Sequence, residues 1–196
     1  MPQSNRIEPM ASPKPPGTGK ALAVLLGIPI AAVASLFVIV PAEESGRKVE
    51  ATVQPDGSIA TRHVAGKQYL RAYLDIVRVP TACDGITTGI RMGMTFTPAQ
   101  CDAMLERELI AHAAPIVKCV PGLYGRAHQI IPAVSLTYNI GTAGFCKSSI
   151  AKLWNAGQWR AGCDRFPLFN KAGGRVVRGL VLRRARERAE CLKGLN

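Results

Sequence analysis

The sequence predicts an α+β domain behind a single apolar N-terminal segment. An uncharged apolar run of twenty residues extends from Ala21 to Val40. Segments of β-type composition then cluster over residues 77–90, and helical patterns dominate after residue 97. The order is a short helix, a small sheet and several helices, which is typical of α+β folds with the sheet at one end.

The apolar run is long enough to cross a membrane once. A helix of this length spans roughly 30 Å, the thickness of a bilayer's hydrocarbon core. Basic residues precede the run and acidic residues follow it: Arg6, Lys14, Lys20, Glu43 and Glu44. This asymmetry predicts a cytoplasmic N-terminus and an exported remainder.

The composition of the run indicates marginal anchoring, since alanine, glycine and serine dilute its larger apolar residues. An uncleaved signal anchor is favoured over a cleaved signal peptide, because Val40-Pro41-Ala42 is a poor cleavage site. The predicted organisation is a disordered cytoplasmic tail, a transmembrane signal anchor, a leader and one exported domain, over residues 1–20, 21–41, 42–62 and 63–196.

All six cysteines lie in the exported part. In an oxidising compartment an even count predicts three disulfides, and six cysteines allow fifteen pairings. There is no C-x-x-C pair, and the three histidines are not at ligand spacing to the cysteines. We therefore expect neither a metal nor a cofactor.

The net charge of +12 predicts an anionic partner. An exported domain meets little nucleic acid, and no motif interleaves basic and aromatic residues in the way that nucleic-acid binding requires. The charge therefore favours a target in the cell envelope.

Local signals place the elements of the first half. Pro55-Asp56-Gly57 predicts a turn between short strands of the leader. Apolar spacing over residues 64–74 predicts a short helix. Residues 77–82 and 86–90 read as two antiparallel strands joined at Asp84-Gly85.

The second half is predicted to be helical. Thr97 is expected to cap a helix with Pro98 in its first turn and Gln100 closing a capping box, and Pro115 is expected to end that helix near residue 113 or 114. Further helices fit residues 127–138, 148–155 and 180–192, with Gly141 and Gly157 as stops.

Several motifs resemble those of phage-type lysozymes, glycoside hydrolase family 24. The segment over residues 66–81 is similar to the active-site stretch of that family, and Val134 to Gly141 is similar to its buried helix with an aromatic-Asn-x-Gly turn. Residues 170–192 match the C-terminal block of lambdoid-phage endolysins. The resemblance covers about residues 64–193 and implies a lysozyme-like fold.

The resemblance also implies catalytic residues. In that family a Glu ends the first helix, an Asp or Cys follows after eight residues, and a Thr after five more. Asp75 and Thr81 fall in place, but Gly66 stands where the count puts the general-acid Glu. Glycoside hydrolysis normally uses two carboxylates, so an acid must come from elsewhere.

Several alternatives remain for that acid. Asp84 would supply the proton if a bulge turned it toward the cleft, and Asp56 or Glu50 would do so if the leader folded back over the site. Otherwise the domain is an active enzyme with an unplaced acid, or a catalytically impaired protein that binds peptidoglycan. Without the resemblance, Asp75 would be expected simply to cap a turn.

In full, the resemblance implies a monomeric endolysin that hydrolyses the β-1,4 bond between N-acetylmuramic acid and N-acetylglucosamine during host-cell lysis. Asn139, Arg183 and Arg184 are candidates for substrate binding, although an arginine-rich helix is as often a solvated face. A third hypothesis is that the basic C-terminal helix disrupts membranes and that the protein has no enzymatic activity.

Some relatives in the family use such apolar segments as signal-arrest-release helices. Residues 21–40 would then hold the chain in the host inner membrane, with its domain in the periplasm until release. Because the run contains no cysteine, its release cannot depend on thiol exchange.

Overall fold

The computed structural model describes residues 18–195. Its helices are α1 (Lys20–Leu26), α2 (Ile30–Glu44), α3 (Pro98–Cys119), α4 (Ala127–Ile140), α5 (Thr142–Cys146), α6 (Ser149–Asn155), α7 (Trp159–Cys163) and α8 (Arg178–Cys191). Its strands are β1 (Lys48–Val53), β2 (Ile59–Ala65), β3 (Tyr73–Leu74), β4 (Pro80–Thr81), β5 (Lys171–Ala172) and β6 (Arg175–Val176). Each consecutive pair of strands forms a two-stranded antiparallel sheet, so the predicted α+β class is confirmed.

The apolar N-terminal run forms two helices, α1 and α2, which are bent by 109° at the break between them. Gly27 ends α1 in the left-handed region, at φ 66°, and Pro29 caps the start of α2. Within residues 18–195 no single helix has the length and apolarity to span a membrane, although this bent pair meets the test when taken together. The single helix predicted over residues 21–41 is therefore not present in this conformation. Most of the predicted tail over residues 1–20 lies outside the described residues.

The apolar side chains of α1 and α2 lie inside the main hydrophobic core. Leu22, Leu26, Leu36, Phe37 and Val40 are fully buried there. They pack in one cluster with α3, α4 and the helices that follow. A second, smaller cluster surrounds Cys83 and Cys101 next to the β3–β4 hairpin. The protein thus has a large helical lobe, which includes the N-terminal run, and a small lobe.

Strands β1 and β2 form a hairpin that pairs Val53 with Ile59 across the predicted turn. The turn at Pro55-Asp56-Gly57 is confirmed. The hairpin is more than a leader, however, because Ile59 belongs to the main core and its N–H donates to the Thr18 carbonyl at 2.8 Å. It therefore packs against the start of the N-terminal helices.

The helix predicted over residues 64–74 is wrong. The backbone there pairs over long range instead: Ala72 N–H donates to Met94 O at 2.9 Å, and Leu70 O accepts from Phe96 N–H at 2.7 Å. Strand β3 then turns back over residues 75–79 to pair with β4. A second reversal occurs where it was predicted, at Asp84-Gly85, and a bridge joins Ala82 to Ile86.

The helical predictions are largely confirmed. Helix α3 begins with the complete Thr97 capping box, and Gly141 caps the end of α4 as expected. Helix α3 nevertheless continues through Pro115 to Cys119. Cys119 is bonded to Cys146, and the other disulfides join Cys83 to Cys101 and Cys163 to Cys191. The predicted three disulfides are therefore present.

Candidate active site

The C-terminal end of α2 presents two adjacent carboxylates, Glu43 and Glu44. The helix stops there because Ser45 is its cap and Gly46 follows in the left-handed region, at φ 71°. Glu44 Oε1 lies 2.7 Å from Arg183 Nη1, and the Glu44 side chain keeps 20% of its surface exposed. Glu44 is therefore held in place while still reaching solvent.

Arg183 reaches Glu44 from α8 and is itself almost fully buried. Its Nη2 donates to the Ser135 carbonyl at 2.8 Å, and its Nε lies 3.2 Å from Glu187 Oε1. These bonds fix the guanidinium, so its charge is directed at Glu44. Charge-assisted hydrogen bonds of this kind are stronger than neutral ones.

Glu43 pairs with Arg186, at 2.5 Å from its Oε1 to Arg186 Nη2. A cavity of about 270 Å³ opens beside this pair and is lined by Glu43, Val177, Gly179, Leu180, Leu182, Arg183 and Arg186. The end of α2 and the start of α8 therefore border an open depression that carries both charge signs.

Asp75 lies in the turn between β3 and β4. Its Oδ1 accepts hydrogen bonds from the N–H groups of Val77 and Val79, at 2.9 and 2.8 Å. The side chain is half-buried. Asp75 therefore caps this turn, as the sequence alone suggests, and the hydrogen bonds hold its carboxylate in a defined orientation.

Thr81 ends β4 opposite Tyr73 and is 3% exposed. Its hydroxyl donates to the Val79 carbonyl at 3.0 Å. Asp75 and Thr81 thus lie at the two ends of one tight turn, and both bond to Val79.

Asp84 has no exposed surface. It accepts from Arg47 Nε at 3.0 Å, from Arg47 Nη2 at 2.7 Å and from the Ser45 hydroxyl at 2.8 Å. Desolvation lowers the pKa of Arg47, but the hydrogen bond and charge of Asp84 outweigh it and leave that pKa raised. A carboxylate in this setting is poorly placed to protonate a bound sugar.

The other predicted residues have different surroundings. Asn139 is exposed near the end of α4. Arg184 is fully buried against Glu187, at 3.0 Å, and burial lowers its pKa to about 10. Arg183 and Arg184 are therefore buried and do not form a solvated face, while their predicted contact with substrate stays a prediction. On α8, Arg178 and Arg186 are exposed, and Arg188 is half-buried.

Neither of the leader's candidate acids faces inward. Glu50 pairs with Arg62 on the outer face of the β1–β2 hairpin, where both side chains are more than half exposed. Asp56 accepts from the Ser58 N–H within the hairpin turn.

Glu44 is a candidate acid that sequence counting missed. Residues 45–65 separate it from Gly66, and they form the hairpin and its flanks. The signal that would have found it is the end of the helix that contains the apolar run. A Glu stands there, followed by Ser45 and Gly46.

Comparisons with known proteins find related sequences and structures. Residues 65–187 match the sequence model of the phage lysozyme family. The SAR-endolysins of Enterobacteria phages PA-2 and P21 are each 32% identical to the chain, and each alignment covers 92% of this chain and 98% of the relative.

Two solved structures are similar. The active form of the endolysin Lyz of phage P1 aligns with a TM-score of 0.65 at 21% identity, over 89% of this chain and 93% of that one. A mutant lysozyme of phage P22 aligns with a TM-score of 0.54 at 31% identity, over 64% of this chain and 88% of that one.

Proposed function

Because this chain belongs to the phage lysozyme family and is a glycoside hydrolase, we propose that it cleaves the β-1,4 bond between N-acetylmuramic acid and N-acetylglucosamine, with Glu44 as the general acid. The main support for this proposal is that Glu44 lies at the end of α2, where its side chain is partly exposed and bonded to Arg183. In the resemblance described above, a Glu that ends the first helix of the lysozyme domain has this role.

In the proposed reaction Glu44 is protonated before cleavage. It gives its proton to the glycosidic oxygen as the bond from that oxygen to the anomeric carbon breaks, and Arg183 then stabilises the resulting carboxylate. Asp75 orients the water that attacks the anomeric carbon and accepts its proton, and Thr81 assists. The proton count balances, because Glu44 gives one proton to the departing sugar and Asp75 takes one from the attacking water.

The test compares variants of the full chain, purified with its disulfides formed, for release of reducing ends from Gram-negative peptidoglycan. Glu44→Gln is expected to lose about 10²–10⁴-fold in rate, the usual contribution of a general acid. The rate of Asp75→Asn is also expected to fall sharply. Glu43→Gln is the matched control, because Glu43 precedes Glu44 on the same helix and pairs with a different arginine.

Full activity of Glu44→Gln would refute the assignment of the acid. If the parent protein bound peptidoglycan but released no reducing ends, the non-catalytic alternative would replace the enzyme. Leakage of lipid vesicles without any peptidoglycan cleavage would favour the membrane hypothesis.

We further propose that residues 21–40 first anchor the chain in the host inner membrane and then join the core when the protein is released to the periplasm. The two relatives above are both named SAR-endolysins, and the basic and acidic flanks of the run suit that topology. In the released form, burial of α1 and α2 would replace their contact with lipid.

The choice of substitutions follows from exposure in the folded state. Ala21 and Ala31 are exposed on α1 and α2, so Ala21→Leu/Ala31→Leu increases the run's apolarity without disturbing the core. This variant is expected to stay longer in the membrane fraction and delay lysis. Gly27 is unsuitable for the purpose, because an added Cβ would lie 2.4 Å from the Tyr124 ring.

The control is Ala21→Gln/Ala31→Gln, which is expected to shorten the membrane-bound stage. Identical fractionation and lysis timing for the leucine variant, the glutamine variant and the parent would contradict the proposed release.

A further inference from the structure

A buried ion pair lies between the two lobes, next to the candidate active site. Arg47 and Asp84 form it with two hydrogen bonds, and their side chains are 5% and 1% exposed. The Ser45 hydroxyl also donates to Asp84, and the Arg47 N–H donates to that hydroxyl oxygen at 3.3 Å. Ser45, Arg47 and Asp84 thus form one hydrogen-bond network.

The network joins the two chain segments that carry the proposed chemistry. Ser45 directly follows Glu44, and Asp84 comes three residues after Thr81. Gly85 is also close to Glu44, since a Cβ added at Gly85 would lie 3.6 Å from the Glu44 Cβ. The position of Asp84 relative to Arg47 therefore sets the position of the Thr81 segment relative to Glu44.

Two further contacts hold the network against α3. Arg47 Nη2 lies 3.4 Å from Asp102 Oδ1, and the Thr61 hydroxyl of the β1–β2 hairpin donates to the other oxygen of Asp102. The disulfide between Cys83 and Cys101 joins the neighbours of Asp84 and Asp102. The hairpin therefore keeps Arg47 between two acids whose own segments are covalently linked.

Stability alone is a weak reason for such a pair. A buried ion pair loses about as much by desolvation as it gains by attraction, and apolar replacements of both partners are often neutral or stabilising. A bidentate pair does fix distance and angle, however. Proton transfer to a glycosidic oxygen depends on just that kind of placement, and shifts of about 1 Å can reduce rates by about 10²-fold.

We propose that Arg47 and Asp84 are positioning residues, which set the place of the Glu44 carboxylate relative to Asp75 and Thr81. The proposal rests on the proposed role of Glu44. It gives the inserted β1–β2 hairpin a function, because the hairpin carries Arg47 at its base and fastens to α3 through Thr61.

The test measures kcat and KM on peptidoglycan fragments, and the pH profile of kcat/KM, for Asp84→Asn, Arg47→Lys and the apolar double variant Arg47→Met/Asp84→Leu. Activities are normalised to the folded fraction. We expect kcat to fall about 10–100-fold with KM little changed. The alkaline limb of the profile, where a general acid loses its proton, should remain in place, because these variants leave the proposed acid unchanged. Arg47→Lys keeps the positive charge but loses the two parallel N–H donors of the guanidinium. Its kcat is therefore expected to lie between those of the parent and Asp84→Asn.

The double variant separates positioning from stability. Apolar replacement removes both fully buried charges, and Asp102, which also loses Arg47, keeps its bond to Thr61 and part of its exposure. The double variant is therefore expected to keep a thermal midpoint near that of the parent while kcat remains low. Glu50→Gln/Arg62→Gln removes an exposed ion pair from the same hairpin and is expected to keep parental kcat.

Parental kcat in the folded double variant would overturn the proposal, as would losses that follow only the unfolded fraction. Loss of the alkaline limb in Asp84→Asn would also overturn the proposal, by making Asp84 the acid. Full activity of Glu44→Gln is a separate result, which refutes the assignment of Glu44 whatever the ion-pair variants do.

Discussion

The backbone N–H of Gly19 donates a hydrogen bond of 2.6 Å to Glu106 Oε1. This contact joins the residue before α1 to the middle of α3. Beside it, a Cβ added at Gly19 would lie 2.3 Å from the Ile59 side chain. The start of the N-terminal run is therefore held by a carboxylate from the helical lobe and an apolar residue from the hairpin.

We predict that Glu106 contributes more to the stability of the folded protein at mildly acidic pH than at neutral pH. Burial raises the pKa of Glu106, and the Gly19 N–H only partly offsets this. The folded protein thus keeps the Glu106 proton to a higher pH than the unfolded chain. Stability from this group is present below the ordinary glutamate pKa of about 4.3 and is lost as pH rises through the raised value.

The measurement is the difference in thermal midpoint between the parent and Glu106→Gln from about pH 4 to pH 7. The thermal midpoint of the parent should rise relative to that of Glu106→Gln as pH falls. A constant difference, or a gain in the opposite direction, would show that the carboxylate does not couple folding to protons in this way.

Phe37→Ala is predicted to destabilise the folded protein by about 3–5 kcal/mol, because Phe37 is fully buried in the main core and its loss leaves a cavity. Urea unfolding of the purified protein measures the change. Val24→Ala on α1 is the control, since Val24 is 76% exposed, and it should change stability by no more than about 0.5 kcal/mol. Equal effects would mean that the N-terminal helices do not pack as described.

Arg78→Gly is predicted to stabilise the β3–β4 turn by about 0.5–1 kcal/mol. Arg78 has φ 67°, a left-handed conformation that is strained for a residue with a Cβ. Glycine relieves that strain, although it also increases the entropy of the unfolded chain. Arg91→Gly, also in an exposed loop but without a positive φ, should be neutral or destabilising, and an equal gain there would rule out backbone strain as the cause.

Glu187→Ala is predicted to destabilise the protein by about 3–5 kcal/mol, because it leaves Arg183 and Arg184 buried without their shared partner. Denaturant unfolding measures the loss. Glu190→Ala on the same helix removes a partly exposed carboxylate and is expected to cost about 1 kcal/mol or less. Similar losses for both variants would contradict the importance of the buried cluster.

Removing the Cys119–Cys146 bond by alanine substitution is predicted to cost about 3–4 kcal/mol, and removing Cys163–Cys191 should cost nearly the same. Their sequence separations are 27 and 28 residues, so the entropy of loop closure in the unfolded chain is almost equal. Calorimetry under non-reducing conditions checks this. A large inequality would point to native-state contacts rather than loop closure.

The sequence predicted those elements whose signals are local. Thr97, Pro98 and Gln100 fix the start of α3 by short-range hydrogen bonds, and Pro55-Asp56-Gly57 fixes a turn in the same way. The prediction failed over residues 64–74, where apolar spacing suggested a helix. Backbone partners near Met94 and Phe96 decide the structure of that segment, and they are distant in the sequence.

The candidate site shows the same limit. Asp75 and Thr81 flank one short turn, and the family resemblance identified both of them from their spacing. The proposed acid, Glu44, is separated from Asp75 in the sequence by the end of α2 and the β1–β2 hairpin, which a fixed residue count cannot follow. The burial of Arg184 and Asp84 was also hidden, because it depends on partners such as Glu187 and Arg47 on other elements.

The three disulfides span only residues 83–191. The N-terminal helices and the β1–β2 hairpin are therefore joined to the rest by noncovalent contacts and by the single chain connection after residue 65. If residues 21–40 leave the membrane as proposed, the three disulfides can form before those helices dock. Maturation would then end with a reversible docking step, whose balance depends on packing and hydrogen bonds rather than on the redox state of the compartment.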